Sequence, residues 1–146
     1  MKQVKLIFTL LTVIFLLIPG QSFSQWIQTS GPEGGYVDCF GVDGDTLYAG
    51  TYGGGIFAST NYGSSWSDCS TGLTNRSINA IITDGSNIFA GTEGGVFISS
   101  NSGAQWTAAS AGITNTNIQA LIISGSNIFS GTNGGGVYFS TNNGTN

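Results

Sequence analysis

FAGTEGGVFISSNSGAQW, residues 89–106, decides the fold because it occurs almost three times along the chain. Residues 48–66 read YAGTYGGGIFASTNYGSSW, and residues 129–146 read FSGTNGGGVYFSTNNGTN. Trp26, Trp66 and Trp106 lie 40 residues apart, as do Gly72 and Gly112, while Gly50, Gly91 and Gly131 are spaced by 41 and then 40. A fixed period of this length with turn residues inside it marks a repeat architecture. Within one period, Ile78–Thr83 (INAIIT) is nearly continuous in apolar residues, as expected of a strand covered on both faces. Asp84–Asn87 is a turn, and further strands are expected at Ile88–Thr92, Val96–Ser99 and Gln105–Ala109. No helical period occurs. Four strands in about 40 residues is the size of one β-propeller blade. The expectation is therefore an all-β chain of about three blades, each a four-stranded antiparallel meander, forming an incomplete or open propeller. A β-helix has shorter repeats, and a sandwich does not repeat so faithfully.

Residues 1–24 read as a leader outside the fold. Lys2 and Lys5 precede an apolar run from Leu6 to Ile18, broken by Pro19 and Gly20, and Ser22 and Ser24 suit a cut before Gln25. The run is shorter than the roughly 20 residues that span a bilayer, and no later segment is long or apolar enough to do so. A secreted, periplasmic or cell-surface location is expected. Cleavage leaves 122 of the 146 residues, with all seven acids and Arg76 as the one base, so the net charge moves from −4 to −6. A single cation cannot neutralise a row of phosphates, which argues against nucleic acid and anionic membranes as partners.

The turn between the third and fourth strands carries a recognisable signature. STNYGSSW (Ser59–Trp66) and SSNSGAQW (Ser99–Trp106) resemble the Asp-box, S-x-D-x-G-x-x-W, also called the BNR repeat; STNNGTN from Ser140 starts a third copy. With the surrounding GT-x-GG-[IV]-F pattern, the resemblance covers about residues 26–146. It is similar to the propellers of sialidases, xyloglucanase-type glycosidases, sortilin-type receptors and many secreted bacterial repeat proteins. Asn61, Asn101 and Asn142 stand where the pattern has Asp, so hydrogen bonds to hairpin amides are expected of them and cation binding is not. Gly63, Gly103 and Gly144 suit positive φ. Trp66 and Trp106 are expected to fold over their own hairpins and bury their rings against the blade.

Chemistry is constrained by what is missing. There are no histidines, which removes Ser/His and Cys/His nucleophile arrangements and the commonest zinc sites. The resemblance implies three substrate-binding arginines for a sialidase, and the chain after the leader has Arg76 alone. Other glycosidases need two carboxyls about 5–9.5 Å apart. The acids are Glu33, Asp38, Asp43, Asp45, Asp68, Asp84 and Glu93, of which Asp43 and Asp84 occupy equivalent turns. No catalytic residue, metal site or cofactor is expected. Cys39 aligns with Ala80 and Ala120, and Cys69 with Ala109, so two buried small thiols are expected, with a disulfide as the alternative.

A ligand surface is expected on the rim opposite the boxes. Between GT and GG the repeats place Tyr52, Glu93 and Asn133, three different residues in a constant frame, and Arg76 lies in a loop of the same rim. Function follows as a secreted binding or interaction module for a glycan or protein ligand, with a fragment of an Asp-box glycoside hydrolase as the alternative. Even four blades would need about 160 residues. Trp26–Thr29 aligns with the fourth strand, so either the chain is part of a longer ring or a second copy completes it, two copies giving six blades.

Overall fold

The computed structural model describes residues 26–33 and 35–145, and the leader expected at 1–24 lies outside them. Every regular element among the described residues is a strand. Blade 1 is β1 (Val37–Asp43), β2 (Thr46–Thr51), β3 (Gly55–Ser59) and β4 (Ser67–Asp68). Blade 2 is β5 (Ile78–Thr83), β6 (Ile88–Thr92), β7 (Gly95–Ser99) and β8 (Thr107–Ala108). Blade 3 is β9 (Ile118–Ser124), β10 (Asn127–Thr132) and β11 (Gly136–Ser140). Each blade is an antiparallel meander with its strands paired in chain order, and the set does not close. The expected strands of blade 2 are present, the fourth trimmed to two residues.

One irregularity recurs that alternation of residue types does not reveal. The first strand is bulged between Val37 and Cys39, between Ile78 and Ala80, and opposite Gly131 and Thr132, leaving Asp38, Asn79 and Gln119 unpaired. A bulge adds local twist, and here it falls where neighbouring blades meet: Asn79 Nδ2 donates to Ile118 O of the next blade at 2.7 Å.

The blades stack through alternate side chains. The absence of a Cβ on Gly50 and Gly91 admits the β-branched residue of the next blade: a Cβ there would lie 2.7 Å from Cγ2 of Ile78 and of Ile118 respectively. One core joins blades 1 and 2 through Tyr48, Ile56, Ile78, Ile81, Ile88, Phe97 and Trp106; a second joins blades 2 and 3 through Phe89, Val96, Ala109, Ile118 and Ile128. The outer faces of the stack are open. Phe40 and Val42 of blade 1 are 63% and 56% exposed, and Ile122, Val137 and Phe139 of blade 3 are 63–73% exposed.

The β3–β4 and β7–β8 hairpins are built by the expected side chains. Asn61 Oδ1 accepts from Ser65 N and Asn101 Oδ1 from Gln105 N, both at 2.9 Å. Ser59, Ser99 and Ser140 each bond the amide of Gly63, Gly103 or Gly144 and the side chain of Asn61, Asn101 or Asn142. Those glycines have φ of 80°, 82° and 72°, and the residues before them, Tyr62, Ser102 and Asn143, are also left-handed.

The tryptophans depart from expectation. Trp106 is 1% exposed, but its Nε1 donates at 2.7 Å to Cys69 O, so the ring closes the junction with the preceding blade rather than covering its own hairpin. Trp66 is half-buried, its buried Nε1 has no hydrogen-bond partner among the described residues, and Trp26 is fully exposed. Burial depends on which blade precedes the ring. Between blades 2 and 3, the counterpart of the Trp106 slot is a cavity of about 180 Å³ lined by Phe89, Val96, Ala109, Ile113, Tyr138 and Gly144 among others.

Both cysteines are free and half-buried. Burial pushes the Cys39 thiol up to about 11 and that of Cys69 to about 12. Their thiols lie 3.6 and 3.4 Å from Ile78 O and Ile56 O, as small side chains within the stack.

Candidate functional site

The rim carrying Tyr52, Glu93 and Asn133 is built three times on one plan. Each residue follows a strand-ending Thr whose Oγ1 reaches across the turn at 2.9 Å: Thr51 to Gly55 O, Thr92 to Gly95 O and Thr132 to Gly136 O. The amides of the three rim residues donate to the loop entering the same blade's first strand, Tyr52 N to Tyr36 O, Glu93 N to Ser77 O and Asn133 N to Asn117 O. The backbone is thereby pinned on both sides while the side chains stay free. Tyr52 is 58% exposed, and Glu93 and Asn133 are exposed. The sequence pattern located these three; it gave no role to Thr51, Thr92 and Thr132, whose threefold recurrence was the available signal.

Arg76 is on the expected rim but is engaged. Its guanidinium donates to Gly54 O and to Asp68 Oδ2, and Arg76 O accepts from Gly55 N. Burial alone raises the Asp68 carboxyl, but hydrogen bonds from Ser70 and Arg76, with the guanidinium charge, outweigh it and hold the group below its usual value. Arg76 is thus a clamp between the fourth strand and the second turn of blade 1, and the counterparts Thr116 and Ala108 in blade 3's entry loop and blade 2 carry no such pair. Asp84 belongs to its turn: its Oδ1 accepts from Ser86 N and Asn87 N at 2.8 and 2.6 Å.

The rim offers an aromatic face, one carboxylate and one amide in a row, a set suited to hydroxyl-rich or peptide ligands. Among the described residues no group of three or more Cys, Asp and Glu is gathered to hold a metal. No described helix is long and apolar enough to cross a membrane.

Comparison with solved structures places the chain among propeller proteins. An ancestral GH74 enzyme matches with 26% identity and a TM-score of 0.63, over 77% of this chain and 18% of its own. The GH74 enzyme of Niastella koreensis matches with 25% identity and a TM-score of 0.60, over 84% and 19%. The extracellular domain of a one-component-system protein of B. thetaiotaomicron shares the fold at 22% identity and a TM-score of 0.60, over 75% and 16%. This chain therefore spans less than a fifth of each of these relatives. A scan against family models finds no match, and a search of curated proteins finds no significant relative.

Proposed function

We propose that the chain is a secreted Asp-box propeller module that binds a glycan or protein ligand on the Tyr52–Glu93–Asn133 rim and has no catalytic machinery of its own. The observation that carries this reading is the threefold turn: identical Thr-to-carbonyl bonds hold three different exposed side chains at fixed positions. A constant frame with variable tips is how a scaffold presents a recognition surface. The apolar leader and the likeness to an extracellular domain support an extracellular location. Screening the whole chain on a glycan array tests the reading. Binding lost in Tyr52→Ala or Glu93→Ala, with the unfolding midpoint unchanged, is the expected result; binding that survives both substitutions sinks the rim assignment.

The GH74 likeness favours a second reading, in which these blades are part of a larger glycoside hydrolase. Glu93 is then a substrate contact or one of a carboxylate pair whose other member lies on another blade. Turnover of a β-glucan by this chain would displace the binding-module reading, while binding without turnover supports it.

A further inference from the structure

We propose that residues 26–30 of one copy dock as the fourth strand of blade 3 in a second copy, with Trp26 filling the cavity between that copy's blades 2 and 3. This goes beyond the ligand rim and uses different residues. The argument rests on a five-residue segment that the chain repeats three times: WIQTS at 26–30, WSDCS at 66–70 and WTAAS at 106–110.

Two of the three copies show what the segment does. In each, the Ser hydroxyl spans the backbone of the third strand: Ser70 Oγ accepts from Ile56 N at 2.9 Å and donates to Ile56 O at 3.2 Å, and Ser110 does the same to Val96 at 2.7 and 3.0 Å. Two residues of the segment pair with that strand, Ala58 with Ser67 and Phe57 with Asp68 in blade 1, Ile98 with Thr107 and Phe97 with Ala108 in blade 2. In blade 2 the Trp passes into the junction with blade 1 and donates to Cys69 O.

The first copy of the segment has no third strand to pair with, because it precedes β1. It is nonetheless held in the fourth-strand position. Cβ positions on Gly63 and Gly103 fall 3.0 Å from Thr29 Cγ2 and 3.4 Å from Cys69 Sγ, so Thr29 stands against blade 1 as Cys69 stands against blade 2. Its Trp26 is fully exposed. Blade 3 presents the complement. The outer edge of β11 is unpaired among the described residues, and the cavity beside it has the position of the Trp106 slot. Its walls correspond one for one: Phe89 to Tyr48, Val96 to Ile56, Ala109 to Cys69, Ile113 to Leu73. An apolar cavity of ~150 Å³ accepts a benzene ring, so about 180 Å³ suits an indole.

Docking predicts Ile27 opposite Phe139, Gln28 opposite Tyr138, the Ser30 hydroxyl on Val137, and the Trp26 indole N–H on Ala109 O. The open faces then meet as the internal ones do, with Phe40 and Val42 of one copy against Ile122, Val137 and Phe139 of the other. Two copies joined this way at both ends make a six-bladed ring, within the roughly four to eight blades that close.

The test is the solution mass of the whole chain by light scattering, with Trp26→Ala and, as a control on the rim, Tyr52→Ala. A dimer is expected for the chain and for Tyr52→Ala, with association weakened roughly thirtyfold or more in Trp26→Ala, as for a buried interface Trp. A monomer across micromolar concentrations overturns the proposal, as does a dimer indifferent to Trp26→Ala. Pairing is read directly by mixing Ile27→Cys with Phe139→Cys, each carrying Cys39→Ala and Cys69→Ala. A disulfide between the two variants on oxidation is expected; a dimer that forms none overturns the register.

Discussion

The junction between blades 1 and 2 and the junction between blades 2 and 3 are made from the same repeat, yet they differ in what fills them. The first contains the Trp106 indole, a hydrogen bond from Tyr48 Oη to Ser102 O at 3.2 Å, and another from Thr83 Oγ1 to Val42 O at 2.9 Å. In the second, Phe89 and Ile123 replace Tyr48 and Thr83, so neither of the latter bonds can form, and a cavity occupies the indole position. The lesson is that a blade does not bury its own residues. Its neighbour does, and equal sequence gives unequal burial wherever neighbours differ.

The largest test of this contrast is the pair Trp106→Ala and Trp66→Ala. Removing Trp106 empties a closed junction and is expected to cost about 3–5 kcal/mol. Trp66, half-buried with its indole nitrogen unpaired, is expected to cost about 1–2 kcal/mol in proportion to its buried area. Urea unfolding of both variants checks the difference, and equal losses would break it.

Glycine substitutions sharpen it from the other side. An added Cβ on Gly50 meets Cys39 Sγ at 2.5 Å and Ile78 Cγ2 at 2.7 Å, whereas on the equivalent Gly131 the nearest atom is Ala120 Cβ at 3.7 Å. Gly50→Ala is expected to destabilise by about 1–3 kcal/mol through overpacking. Gly131→Ala is expected to stay within about 0.5 kcal/mol. Thermal unfolding of the two variants side by side measures the gap.

A smaller difference is expected between hairpins. Ser99 is 1% exposed and Ser140 is half-exposed, although both accept an amide and bond an Asn. Ser99→Ala leaves the Gly103 amide unsatisfied away from water and should cost about 1–2 kcal/mol, with Ser140→Ala below that. Hydrogen exchange at Gly103 and Gly144 reports on each hairpin separately.

The smallest effect is the one confined to blade 1. Asp68 has its folded carboxyl value lowered, so its contribution is complete above the unfolded value of about 3.9 and is lost as pH falls through the lower folded value. Both partners of the Arg76 pair are about half exposed, at 45% and 50%, which limits the contribution to about 0–1 kcal/mol. Stability of Asp68→Asn should therefore fall less than that of the parent chain between roughly pH 5 and 2.

The strands were legible in the sequence because Gly and turn residues punctuate runs such as INAIIT, and the structure starts and ends β5 where the pattern does. The rim was legible because Tyr52, Glu93 and Asn133 break an otherwise constant frame. What stayed hidden depends on space between blades. Periodicity assigns Trp106 to its hairpin but carries no information about which neighbour its ring enters. Left-handed Tyr62, Ser102 and Asn143 were not visible because no glycine marks them; the serine and asparagine bonds of the hairpin hold that geometry. Arg76 looked like a free rim cation because Asp68, eight residues away, reads as an ordinary surface acid.

The pairing of every strand with its immediate predecessor has a kinetic consequence. The widest-spaced partners in any ladder are no farther apart along the chain than Val37 and Thr51. Loops so short cost little entropy to close, and β-hairpins of this kind form in microseconds, whereas synthesis adds only about 5–20 residues per second. A blade can therefore zip up as soon as it emerges, before the next one exists. Each newly added blade then finds a preformed apolar wall to fold against, so assembly proceeds in the order of translation, with one unfinished face exposed at its growing end.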